Sequence, residues 1–284
     1  MTARLHHERI ARSDAAPTRW LALTHGFFGA GSNWRSIARK LTDRRPEWGV
    51  ILVDLRQHGR SERGEPPHTI AACAGDLQAL VAELGEVHAI AGHSFGGKVA
   101  LATRPLVDRS GGADGRGRAP TVETTVGQIW VLDASPSRRP DAGDTSNTVV
   151  RVLAFMERSP RSWAQREDFV QAVVGDGHDV GLARWLAMNL VPDPAGGFVL
   201  RLDLVALREM LASYFATDLW DVLEAPGGDV EMVVATRART LSAADRGRLA
   251  AAPAHVHVHE VDTGHWLHMD APALVVELFA AHLP

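Results

Sequence analysis

Cysteine is nearly absent from this 284-residue chain. Cys73 is the only one, so no disulfide can form within it. Long apolar runs are missing too. No stretch approaches the ~18 residues that a membrane-spanning helix needs, and the N-terminal MTARLHHERIARSD lacks the apolar segment of a signal peptide. A soluble, cytoplasmic protein with no membrane association is expected. An excess of one charge sign is the third absence: 30 Lys and Arg stand against 34 Asp and Glu, a net charge of −4. That gives no electrostatic reason to expect a nucleic acid or an anionic surface as partner, and a small neutral substrate fits better.

What is present is enough apolar residue, 45% of the chain, to bury one large core. Short apolar runs that read as buried strands recur at Trp20–Thr24, Val50–Asp54, Val87–Gly92, Ile129–Asp133, Val230–Ala235 and His255–Val261, with helical spacing between them. This rhythm predicts an α/β fold, a mostly parallel central sheet flanked by helices. It breaks once. Between Asp133 and Val230 only amphipathic runs occur, near Val149–Glu157, Arg166–Val174, Val180–Leu190 and Leu204–Phe215. These predict a helical cap inserted after the strand ending at Asp133. The expected division is 1–135 for the first part of the core, 136–226 for the cap and 227–284 for the second part of the core, with Pro136, Pro140, Pro226, Gly227 and Gly228 at the cap edges. The Gly- and Arg-rich Ser110–Pro120 reads as a surface loop.

The run VHAIAG is followed by Gly92-His93-Ser94-Phe95-Gly96 and then by a segment able to start a helix. Strand, GxSxG and helix in that order form a nucleophile elbow: side chains at Gly92 and Gly96 would strike neighbouring backbone, and the strained turn lifts Ser94 into a cleft. The Phe95 N–H would then face an oxyanion. The first apolar run ends in Leu23-Thr24-His25-Gly26-Phe27-Phe28-Gly29, where an HG pair presents Phe27 N–H as a second oxyanion donor. Near the C-terminus Asp262-Thr263-Gly264-His265-Trp266-Leu267-His268 follows the last run and offers His265 as general base, with His268 as fallback. The alternating His255, His257 and His259 could in principle hold a metal, but a solvated strand face explains them equally, and no metal or other cofactor is expected.

The acid is less obvious. The usual place is the loop after the penultimate strand, but Thr236-Arg237-Ala238-Arg239-Thr240-Leu241-Ser242 contains no carboxylate and Asp245 is the first beyond it. Asp133 ends the strand after the nucleophile helix and is the preferred candidate. Asp245 would have to fold back from a helical segment, and Asp262 sits close enough to His265 to brace its own loop instead.

The segments HGFFGAGSNW, VDLRQHGRS, GHSFGGKVAL, VLDASP and TGHWLHMDAP together resemble a branch of small α/β-hydrolase esterases of bacteria and mitochondria, from about Trp20 to Leu283. The resemblance implies the α/β-hydrolase fold, a short-acyl carboxylester hydrolase, and an acid taken from the strand after the nucleophile helix, here Asp133. The expected chemistry is an acyl-enzyme on Ser94, with a small ester and water as reactants. Thioester, amide or carbon–carbon hydrolysis on the same residues, or a non-catalytic ligand-binding protein, are the alternatives. Phe28, Trp185, Met188 and Trp266 are the candidate pocket walls. Asp54, His58 and Ser61 read as structural, and Lys98 as lying along its helix surface. Nothing in the sequence indicates the oligomeric state.

Overall fold

The computed structural model describes residues 2–107, 126–139 and 147–284. Ser110–Pro120 and Pro140 lie outside the described residues. The strands are β1 (His7–Ile10), β2 (Arg19–Thr24), β3 (Trp48–Val53), β4 (Val87–His93), β5 (Gln128–Leu132), β6 (Ser162–Trp163), β7 (Leu190–Pro192), β8 (Phe198–Leu200), β9 (Asp229–Ala235) and β10 (Val256–Val261). Seven of them form one sheet in the order β1-β3-β2-β4-β5-β9-β10. β1 pairs antiparallel with β3, and the other pairs are parallel.

The helices are α1 (Arg35–Arg44), α2 (Ile70–Leu84), α3 (Phe95–Val107), α4 (Thr148–Arg158), α5 (Arg166–Gly175), α6 (Val180–Leu186), α7 (Leu204–Ala216), α8 (Trp220–Glu224), α9 (Ala243–Ala250), α10 (Leu267–Asp270) and α11 (Pro272–His282). Every residue of β3 is buried, because helices cover both faces of the sheet. Its alternation sorts the two faces. Val50 and Leu52 join Ile37 and Leu41 of α1 and Val276 and Phe279 of α11, whereas Ile51 and Val53 join Leu77 of α2 and Val99 of α3. Local signals agree with the packing: Thr69 caps α2 by accepting the Ala72 N–H at 3.1 Å, and Gly85 ends it at φ 68°.

β1 leaves almost no pattern in the sequence, since His-Glu-Arg-Ile at a sheet edge buries only its last residue. Between β5 and β9 the chain supplies α4 to α8, and also a three-stranded sheet in the order β6-β8-β7. Strands of two or three residues are too short to show an alternation, so the sequence suggests helices alone there.

Lys98 corrects an expectation. It is buried instead of lying along the helix surface. Its ammonium donates to the carbonyls of Ser137 (2.9 Å), Tyr214 (2.9 Å) and Thr217 (2.7 Å), tying α3 to the segment that follows β5 and to the end of α7. Burial pushes this amine down to about 8. Among the described residues, no helix is long and apolar enough to cross a membrane.

Candidate active site

Parallel strands bring their carboxyl ends to one edge of the sheet, and β4, β5 and β9 lie side by side there. Ser94 follows β4 in the left-handed region, at φ 53°. The glycines explain how this is tolerated. A Cβ at Gly92 would sit 2.0 Å from the Gly96 carbonyl oxygen, and one at Gly96 would sit 2.5 Å from the His25 carbonyl oxygen. Ser94 N–H donates to Leu132 O at 2.9 Å, fastening the turn to β5.

Asp133 lies one residue beyond β5, also in the left-handed region at φ 46°, and is fully buried. Its N–H donates to Val233 O at 2.8 Å, and its Oδ1 accepts the Ala235 N–H at 3.1 Å. These two bonds to β9 aim Oδ2 at His265 Nδ1, 2.6 Å away. On the other side of the imidazole, Nε2 lies 3.0 Å from Ser94 Oγ. Ser94, His265 and Asp133 thus form one hydrogen-bonded line.

The other carboxylates are committed elsewhere. Asp245 accepts from Ser135 Oγ at 3.1 Å, from Ser137 Oγ and from the Ser242 N–H at 2.9 Å, and closes the capping box of α9. Burial raises its pKa, but the hydrogen bonds from Ser137 and Ser242 outweigh this and leave it lowered. Asp262 is exposed and pairs with Arg237 at 3.3 Å. His268, the fallback base, does not reach the serine. It sits on the single turn of α10, its ring 4.9 Å from that of Trp34, with no hydrogen-bond partner on either nitrogen among the described residues. Burial and the adjacent His265 push it down to about 4.

Two residues that the sequence reading passed over complete the line. Thr240 Oγ1 donates to Asp133 Oδ2 at 2.7 Å and stands 3.1 Å from His265 Nδ1. His93 Nε2–H donates to the His265 carbonyl at 2.7 Å, and burial holds its pKa well below the ordinary histidine value. Thr240 occupies the loop after β9, where a carboxylate is usual. A hydroxyl in that loop was the available signal. His93 carried none, because the middle positions of GxSxG tolerate many side chains.

Phe95 is the first residue of α3, so its N–H has no partner one turn earlier. Phe27 N–H takes no part in the turn around it, where Gly29 N–H donates to Gly26 O at 3.0 Å and Phe28 N–H donates to His58 Nε2 at 3.3 Å. Phe28 is held at φ 64°, and its carbonyl accepts from Asn189 Nδ2 at 3.0 Å. His58 accepts with Nε2 because Nδ1–H donates to Arg56 O at 2.9 Å. His25 does likewise, donating from Nδ1 to Gly26 O at 2.8 Å and accepting the Leu55 N–H at 3.1 Å. Both rings must be neutral to do this. Burial pushes His58 down to about 3 and lowers His25 as well. Asp54 accepts from Gly31 N–H (2.7 Å) and Arg60 N–H (2.8 Å), and its carbonyl accepts from Ser61 Oγ (2.6 Å). Asp54, His58 and Ser61 therefore brace the loop that carries Phe27.

A cavity of about 320 Å³ opens on Ser94 and His265, lined also by Phe27, Phe95, Tyr214 and Trp266. Of the candidate walls, Trp266 is on it. Phe28, Trp185 and Met188 are not: they line a separate cavity of about 100 Å³ beside Asn189. The reason is the left-handed turn at Phe28, which sends its ring away from the serine toward the insert. Trp185 and Trp266 also border a third cavity of about 400 Å³.

The alternating histidines do not converge on one point. His255 Nε2 meets Leu223 O at 3.1 Å, His257 lies 3.5 Å from Asp229, and His259 lies 2.6 Å from Glu231. By donor type Glu231, His259 and His282 could hold a metal ion, since one ligand atom of each lies within 4.8 Å of the others. Glu231 is already engaged on both oxygens, by His259 and by Gln128 Nε2 at 2.9 Å, and it sits toward the amino end of β9, away from Ser94.

Residues 21–278 match the model of a family described as "Alpha/beta hydrolase family". Among curated proteins, the chain is 26% identical over 261 residues to the "sn-1-specific diacylglycerol lipase ABHD11" of Mus musculus, covering 89% of this chain and 76% of that one. Among solved structures it is similar to a "Marine microorganism esterase", with a TM-score of 0.80, 19% identity and 99% of both chains covered. It is also similar to a "Thioesterase Domain From Curacin Biosynthetic Pathway", with a TM-score of 0.69, 16% identity, and 98% and 95% covered.

Proposed function

This chain belongs to the alpha/beta hydrolase family, and on that premise we propose that it is a serine esterase that cleaves short-acyl carboxylic esters through an acyl-enzyme. The single observation that carries the proposal is the line Ser94 Oγ, His265, Asp133, with separations of 3.0 and 2.6 Å, opening on a cavity of about 320 Å³. The similar diacylglycerol lipase supports an ester as the bond cleaved.

In this reading Ser94 Oγ attacks the ester carbonyl while its proton passes to His265 Nε2. Asp133 holds the Nδ1–H tautomer and stabilises the imidazolium. The carbonyl oxygen becomes an oxyanion that accepts from the N–H groups of Phe27 and Phe95, a contribution worth on the order of a hundred- to thousandfold in rate per donor. Collapse breaks the bond to the alkoxy oxygen, which leaves as alcohol with the proton from His265. His265 then takes a proton from water, whose oxygen attacks the acyl carbon. The carboxylic acid departs as Ser94 recovers its proton. The fixed neutral state of His25 and His58 keeps the Phe27 loop in place without adding charge beside the oxyanion.

Labelling with a fluorophosphonate tests the proposal. Wild-type protein is expected to label and to hydrolyse p-nitrophenyl esters of short acids, and Ser94→Ala to do neither. Equal labelling of Ser94→Ala, or thioester turnover with no ester turnover, overturns it.

A further inference from the structure

The wall of the Ser94 cavity is unevenly charged. Arg139 and Arg239 both line it, beside Asn147, Thr148 and Thr240, and no carboxylate does among the described residues. The acids behind the wall have other partners. Asp133 faces His265 and Thr240, Asp245 faces the three serines, and Asp218 accepts the N–H groups of Arg138 (3.1 Å) and Trp220 (3.2 Å). Arg139 Nη2 donates to the Thr240 carbonyl and, at 3.4 Å, to the Arg239 carbonyl. Its guanidinium is therefore pinned against the loop after β9, and among the described residues its other N–H groups take no further partner. The side chain of Arg239 makes no hydrogen bond and no ion pair with any described residue.

A guanidinium is always charged and presents five donors in a planar fork that matches a carboxylate. Arg139 is half-buried and Arg239 exposed, and two such cations on the wall of one cavity together attract one negative group. Their place in the chain sets the distance from the chemistry. Arg239 directly precedes Thr240, whose hydroxyl is 3.1 Å from His265 Nδ1, and Arg139 is held by the Thr240 carbonyl. Both arginines line the same cavity as Ser94 and His265, so an anion on this pair and a carbonyl presented to Ser94 share one cavity.

We infer that Arg139 and Arg239 form a subsite for a carboxylate carried by the substrate itself, so that the preferred ester is a half-ester of a short dicarboxylic acid. This revises the neutral substrate suggested by the net charge of the chain, which averages over a surface that the substrate never meets. The inference rests on the serine esterase reading above.

The test compares ethyl hydrogen succinate with diethyl succinate, two esters that differ in one charge. In wild type, kcat/KM for the half-ester is expected to exceed that for the diester by about tenfold or more, as one charge-assisted contact allows. The ratio should fall toward one in Arg139→Gln/Arg239→Gln and shrink at ~0.5 M NaCl, where screening is strong. Arg239→Lys, which keeps the charge, should retain part of it. If loss of the Thr240 anchor prevents the double variant from folding, Arg239→Gln alone decides, because its side chain gives up no hydrogen bond or ion pair with a described residue. A wild-type ratio at or below one, with Ser94 still labelled by fluorophosphonate, overturns the subsite and leaves the esterase reading standing. A ratio above ten that Arg239→Gln leaves unchanged overturns it as well. No labelling and no turnover of either ester overturns both.

Discussion

Thr240 Oγ1 donates to Asp133 Oδ2 at 2.7 Å, the same carboxylate oxygen that receives His265 Nδ1 at 2.6 Å. The loop after β9 therefore contributes a hydroxyl where a carboxylate would be usual, and the hydroxyl positions the carboxylate borrowed from β5. Thr240→Val keeps the shape and removes the donor. It should lower kcat by about tenfold with little change in KM, in line with the loss of one hydrogen bond to a charged group. Thr240→Ser should restore most of the rate. A shift in KM without a shift in kcat would assign Thr240 to substrate contact instead.

Asp133 and Asp245 separate by the kind of damage their loss causes. Asp133→Asn should lower kcat by roughly a thousandfold or more, because an amide favours the wrong imidazole tautomer. Asp245→Asn should leave the rate nearly alone and instead reduce stability by about 1–3 kcal/mol, since the Ser135, Ser137 and Ser242 donors lose a charged acceptor. Steady-state kinetics paired with urea unfolding of both variants decides between the two carboxylates.

The sequence made some of this legible and not the rest, for physical reasons. Buried parallel strands are continuous apolar runs, so β2, β3, β4, β5, β9 and β10 could be read directly, and a serine between glycines that exclude any Cβ announces its own turn. β1 and the strands β6 to β8 could not be read, because edge strands and pairings of two or three residues bury too little to leave a pattern. Side-chain direction was the other blind spot. Lys98 reads as a surface lysine until three carbonyls are found around it, and Phe28 reads as a pocket wall until its positive φ is seen. Arg139 and Arg239, a hundred residues apart, meet only through the fold.

Acid should unfold the protein steeply, for a reason that can be traced to individual rings. His58 is pushed down to about 3 and His268 to about 4 by burial, with His25 and His93 lowered too. Between their folded values and the unfolded value near ~6.5 the unfolded chain binds protons that the folded protein refuses. Stability is then complete above about pH 6.5 and falls as pH drops, by about 1.4 kcal/mol per pH unit for each of His58 and His268 down to about pH 4, with His25 and His93 adding in the same direction. Urea midpoints measured from pH 7 to 4.5 should show this slope. His58→Gln, whose amide can still accept the Phe28 N–H, should flatten it by about one ring's share.

Lys98 and its three carbonyls set the last expectation. Its ammonium bonds the Ser137, Tyr214 and Thr217 carbonyls through one atom, and these belong to the segment after β5 and to the end of α7. Lys98→Met fills nearly the same volume and leaves those acceptors without their donor. A loss of about 3 kcal/mol is expected, below the sum of three charged hydrogen bonds because the variant also escapes the desolvation that holds the lysine pKa down. The effect should reach the site as well as the stability. α7 lines the Ser94 cavity through Leu211, Tyr214 and Phe215, so loosening its end should raise KM for esters while labelling of Ser94 by fluorophosphonate persists. Unchanged KM beside the full stability loss would show that α7 is held by its apolar contacts alone, and that Lys98 serves only the fold.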